Sequence, residues 1–100
     1  MIPEVLQKSK NRISEICRRH KIRELSLFGS QARGDFSAKS DFDFLVEFEP
    51  GAEIGFIEFG LIQEELESII ETSVDLIPKK GLKSLIRPQV LSEAEIIYAA

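Results

Sequence analysis

A small α/β domain, with helices packed on a short mixed β-sheet, is the fold class this sequence predicts. Three observations carry that expectation. Residues 41–48 alternate strictly, with Phe42, Phe44, Val46 and Phe48 on one face and Asp41, Asp43, Leu45 and Glu47 on the other, the period of a strand. Within residues 57–70, Phe59, Ile62, Leu66, Ile69 and Ile70 recur at the spacing of an amphipathic helix. Segments of these two kinds then follow one another in the order α-β-α-β-α-β-α.

Pro3 suits the first turn of a helix, and Leu6, Ser9, Ile13, Ile16 and Cys17 continue at helical spacing to about Arg19. Residues 25–28 are a short apolar run ending at Gly29-Ser30, a buried strand delivering the chain into a tight turn, and a short helix is expected from Ser30. Residues 34–40 are mostly polar and read as a loop. The strand 41–48 is closed by Pro50-Gly51, and the helix 57–70 is weakened near its start by Gly60. Residues 72–77 form a β-branched strand ending at Pro78, with Val74 and Leu76 on one face and Asp75 on the other. In residues 82–100, Leu85, Ile86, Val90 and Leu91 have helical spacing around Arg87-Pro88. Ile96-Ile97-Tyr98 fits either a helix end or a short strand.

A chain of 100 residues can bury one core, so a single domain over residues 1–100 is expected, with its substrate on the surface or in a shallow cleft. Hydrophobic residues at 43% and charged residues at 30% match a folded globular balance. The lone cysteine, Cys17, excludes an internal disulfide and a zinc knuckle, lies on the apolar stripe of the first helix as a core residue, and points to a reducing, cytoplasmic setting. No apolar run approaches a membrane span, and the N-terminus lacks a signal-peptide pattern. The net charge of −4 is divided: residues 1–24 carry seven basic side chains against three acidic, whereas residues 41–78 carry eleven Asp or Glu and no Lys or Arg. That distribution repels a nucleic-acid backbone and attracts divalent cations, although Glu64, Glu65, Glu67 and Glu71 read as a solvated helix face. His20 and the run Arg18-Arg19-His20-Lys21 read as cations complementing a helix C-terminus, and Tyr98 as a packing residue.

Asp fits poorly in strands, yet Asp41, Asp43 and Asp75 are all strand-associated. Residues i and i+2 of a strand share a face about 6.5–7 Å apart, near enough for two carboxylates to share a cation, and Asp75 adds a third donor if its strand lies beside that of Asp43. Such carboxylates repel unless a cation compensates, and an oxygen-only donor set suits Mg²⁺ or Mn²⁺. The same aspartates also fit the wet face of an antiparallel sheet. Gly29-Ser30, between a strand and a helix, lets backbone amides approach an anion. Ser30 can bond a phosphate oxygen or cap the helix, and Arg33, one turn on, can meet the same anion or an aspartate. A phosphate seat beside a cation site is the pattern of metal-assisted phosphoryl or nucleotidyl transfer.

The stretch Gly29-Ser30-Gln31-Ala32-Arg33-Gly34, then five residues, then Ser40-Asp41-Phe42-Asp43-Phe44-Leu45-Val46, resembles the signature of the minimal nucleotidyltransferases of the DNA polymerase beta superfamily, and Asp75 in Val74-Asp75-Leu76-Ile77 matches that family's third aspartate. The resemblance covers nearly the whole chain. It implies the nucleotidyltransferase fold, with Asp41, Asp43 and Asp75 as catalytic and Mg²⁺-binding residues, and Asp75 helping to activate the acceptor hydroxyl. It also implies that Gly29 and Ser30 hold the phosphates of ATP. Stand-alone members of this kind pair with a small helical HEPN toxin, transferring AMP from ATP to a tyrosine of it, so the resemblance implies an antitoxin acting in a hetero-oligomer. Two other readings stand beside it: an antitoxin that neutralises its partner by binding and occlusion alone, and a small-molecule nucleotidyltransferase whose acceptor site lies on another chain.

Overall fold

The computed structural model describes residues 2–34 and 41–100. Helices α1 (Glu4–Lys8) and α2 (Lys10–Arg19) lead into β1 (Ile22–Phe28), the four-residue α3 (Ser30–Arg33), β2 (Phe42–Phe48), α4 (Phe56–Ile70) and β3 (Val74–Pro78). A 3-10 turn (Lys79–Gly81), α5 (Arg87–Glu93) and β4 (Glu95–Ala99) complete the chain. The expected first helix is thus two, broken at Ser9, and the loop expected at 34–40 lies, beyond Gly34, outside the described residues. Ile96-Ile97-Tyr98 resolves as strand, so the sheet has four strands and the chain ends on β rather than α.

The sheet runs β3-β2-β1-β4, with β1 antiparallel to both neighbours and β2 parallel to β3. The parallel pair needs a crossover, and α4 supplies it. Its register is set locally. The Phe42 N–H donates to the Ser73 carbonyl at 3.0 Å, and the Glu67 carboxylate accepts the Val74 N–H at 3.0 Å, which fixes where β3 starts.

Alternation along β2 drives Phe42, Phe44 and Val46 into a core closed by Ile13, Ile16 and Cys17 of α2 and by Ile62, Leu66 and Ile70 of α4. Burial pushes the Cys17 thiol up to about 12, as suits an inert core residue. Tyr98 packs at the edge of this core. His20 does more than end a helix: its ring nitrogens lie 2.9 Å from Glu58 Oε2 and 2.6 Å from Glu65 Oε1, tying α2 to α4, and Arg19 reaches Glu65 at 2.8 Å.

Leu45 and Leu82 are buried apart from this core, on the other face of the sheet, which the segment from the 3-10 turn through α5 crosses to reach β4. The Cα radius of gyration is 12.8 Å, close to that expected for 100 residues. No helix among the described residues is long and apolar enough to cross a membrane. Leu66 is fully buried between α4 and the sheet, so Leu66→Ala is expected to cost about 2–5 kcal/mol in urea unfolding with the fold retained.

Candidate active site

Because Phe44 and Leu76 face the core, the strand pleat turns their neighbours Asp43 and Asp75 to the opposite face. These two aspartates are register partners across the parallel pair, so their backbones lie one strand spacing apart, about 4.8 Å. Asp43 is half-buried and Asp75 exposed; Asp41, one residue before β2, is exposed at the same end. The sheet is mixed at this point: β2 is antiparallel to β1 and parallel to β3, and the parallel pair sets Asp75 beside Asp43.

The turn after β1 meets this pair directly. Phe28 is the register partner of Asp43, and the next residue, Gly29, has φ 75° and ψ −158°, a combination essentially restricted to glycine. A Cβ at Gly29 would lie 3.3 Å from the Asp43 Cγ and collide with a carboxylate oxygen. The Gly29 carbonyl accepts the N–H groups of Ala32 and Arg33, each at 3.1 Å, which closes α3 and places Ser30 at its first position. Four residues align few peptide dipoles, so a phosphate here would rest on the glycine backbone and the Ser30 hydroxyl more than on helix charge.

Electrostatics bind these pieces into one site. Burial holds the Asp43 carboxyl above its ordinary value, repulsion from Asp75 and then Asp41 raises it further, and the Arg33 guanidinium opposes the rise. Arg33 also reaches Glu93 of α5 at 3.1 Å. Among the described residues no three acidic, imidazole or thiol groups are drawn close enough to form a ready-made metal cage. Like-charge repulsion opposes such closure, and the donor set remains oxygen-only and short of positive charge, which fits Mg²⁺ or Mn²⁺.

A cavity of about 500 Å³ lies elsewhere, at the far end of β2, among Val46, Phe48, Ile54, Phe59, Lys79 and Lys80. Val46 is three residues beyond Asp43, on the order of 10 Å along the strand, so this cavity is separate from the aspartates. The feature of the site missed in the sequence is Glu93. Its partner Arg33 is 60 positions away, and no local pattern signals the pair.

Comparisons with known proteins identify the family and the fold. The nucleotidyltransferase domain family matches residues 10–97. The protein adenylyltransferase MntA of Thermococcus cleftensis is 38% identical over 84 residues, covering 84% of this chain and 81% of that protein. A solved structure provisionally assigned as a minimal nucleotidyltransferase superposes with a TM-score of 0.78 at 34% identity, covering 95% of each chain. A Shewanella oneidensis complex of a tri-AMPylated HEPN toxin with its MNT antitoxin shares the fold, with a TM-score of 0.68 at 21% identity over 95% of this chain and 73% of that one.

Proposed function

Since the chain belongs to the nucleotidyltransferase domain family, we propose that it is a Mg²⁺-dependent protein adenylyltransferase, an antitoxin that moves AMP from ATP to a tyrosine hydroxyl of a small helical HEPN-type partner. The observation that carries this reading is the contact between Gly29 and the Asp43 carboxylate, with Asp75 in register beside it. It brings a close-approach backbone turn and a pair of acidic side chains to one place, which is what a nucleoside triphosphate with its cation requires.

Asp41, Asp43 and Asp75 would hold the Mg²⁺, which when bound supplies the positive charge that offsets carboxylate and phosphate repulsion. Gly29 and Ser30 would seat the phosphates of ATP, with Arg33 near enough to add a charge-assisted bond. Asp75, exposed at the edge strand, is open to an incoming hydroxyl and would take its proton. The hydroxyl oxygen then bonds to the α-phosphorus, the bond from that phosphorus to the bridging oxygen breaks, and diphosphate leaves with the bond's electron pair. The relatives' names support this direction of transfer: the Thermococcus cleftensis protein is a protein adenylyltransferase, and the Shewanella oneidensis toxin is AMPylated.

The test is intact-mass measurement of the HEPN-type partner after incubation with this chain, ATP and Mg²⁺. A mass gain of one or more AMP groups, mapped to tyrosine by peptide sequencing, is expected. An unmodified partner beside active, folded enzyme would refute the reading.

A further inference from the structure

The segment that crosses the aspartate face combines exposed apolar side chains with unneutralised positive charge. Leu85 is 90% exposed, Ile86 47% and Leu91 40%. Between residues 79 and 92 the chain carries Lys79, Lys80, Lys83 and Arg87 and no acidic residue, in a protein whose net charge is −4. Lys79 pairs with Glu24 at 3.4 Å, and Arg87 donates to the Lys79 carbonyl at 3.2 Å, which pins the base of the segment. Lys80 and Lys83 are exposed and make no ion pair among the described residues.

The C-terminal end of this segment adjoins the active site, while Lys79 and Lys80 stand at the far end of β2. The segment is anchored by Leu82, and Glu93 at the end of α5 holds Arg33, whose charge acts on Asp43. A second apolar cluster, Phe56, Ile57 and Leu61 at the start of α4, belongs to the helix that packs against the core face, with Glu58 and Glu64 beside it. A protein held there would not have its hydroxyl directed to Asp75.

We infer that Leu85, Ile86 and Leu91, flanked by Lys80 and Lys83, form the docking surface for the protein acceptor, and that its occupant is an apolar segment of that acceptor bordered by Asp or Glu. The inference rests on the protein-acceptor reading above and adds the face that selects the acceptor. Apolar contact supplies the affinity, and the lysines supply steering and the choice of an acidic partner. Substrate selection is then separate from ATP binding, which belongs to Gly29, Ser30 and the aspartates.

The test measures AMP transfer at varied concentrations of the HEPN-type partner, together with partner binding by biolayer interferometry and ATP–Mg²⁺ binding by calorimetry, for the native chain, Leu85→Glu, Lys83→Glu and Ile57→Glu. All three replaced side chains are exposed, so folding should be unaffected. Leu85→Glu and Lys83→Glu are expected to raise the KM for the partner by about tenfold or more, with kcat and ATP affinity unchanged and Ile57→Glu like the native chain. An unchanged KM in Leu85→Glu, or an equal rise in Ile57→Glu, would overturn the inference, as would a native chain that does not bind the partner. Partner binding that Leu85→Glu abolishes, in a system where no protein transfers AMP, would uphold the docking surface while removing the adenylylation reading.

Discussion

Asp43→Asn is expected to lose nucleotidyl transfer by at least about 10²–10³-fold while folding at least as well as the native chain in the absence of Mg²⁺. Asp43 is the most confined of the three aspartates, with burial, Asp75 and Asp41 all opposing its charge. Its carboxyl titrates above the ordinary aspartate value of 3.8, so the folded state holds this proton more tightly than the unfolded state does. The resulting penalty is absent below 3.8, where both states are protonated, grows as pH rises from 3.8, and is complete above the higher folded value. The thermal stability of Asp43→Asn should therefore exceed that of the native chain at neutral pH, and the difference should vanish in acid. Mg²⁺ should reverse the order by stabilising the native chain more than the variant, since only a ligand that binds the folded state raises its stability. Retained transfer would contradict the catalytic assignment. Lost transfer with retained toxin neutralisation would instead favour occlusion.

Gly29→Val is expected to lose both stability and ATP binding, the second beyond what unfolding explains. The positive φ imposes strain of about 1–3 kcal/mol on any residue with a Cβ, and valine adds a branched side chain where the Asp43 carboxylate already stands. The contact with Asp43 adds the structural cost and makes the binding loss sharper, because the carboxylate itself must move. Gly51→Ala is the matched comparison, with φ 84° and nothing within 4 Å of its added Cβ. It should show backbone strain alone, with normal ATP affinity per folded molecule. Calorimetry with ATP and Mg²⁺, corrected for folded fraction by circular dichroism, measures both; normal affinity in folded Gly29→Val would remove the phosphate role of the turn.

What the sequence made legible was what repeats locally. The period-2 pattern of residues 41–48 placed Asp43 opposite the apolar face, and the same pattern around Asp75 placed it opposite Val74 and Leu76, as found. The turn at Gly29 was legible because glycine beside serine at the end of an apolar run has few other uses. Features that depend on distant partners were hidden. Residues 22–24 join β1 although Arg23 and Glu24 interrupt its apolar run, because Ile22 and Glu24 pair with Phe48 and Glu47 across a register shift. Residues 95–99 became an edge strand only because β1 offers them an open side, a pairing that itself contains a shift between Leu25 and Ser26. His20 meets Glu58 and Glu65 across 38 and 45 positions, and a charge run near a helix end gave no sign of either.

An adenylyltransferase passes on the α-phosphorus of ATP, whereas a kinase passes on the γ-phosphorus. Incubating the native chain and the proposed HEPN-type partner with Mg²⁺ and ATP labelled with ³²P at either the α or the γ phosphorus separates nucleotidyl from phosphoryl transfer. Label reaching the partner from α-labelled ATP and none from γ-labelled ATP is the predicted result, with the α signal lost in Asp43→Asn. Label arriving from the γ position alone, or an α signal that survives Asp43→Asn, would contradict it.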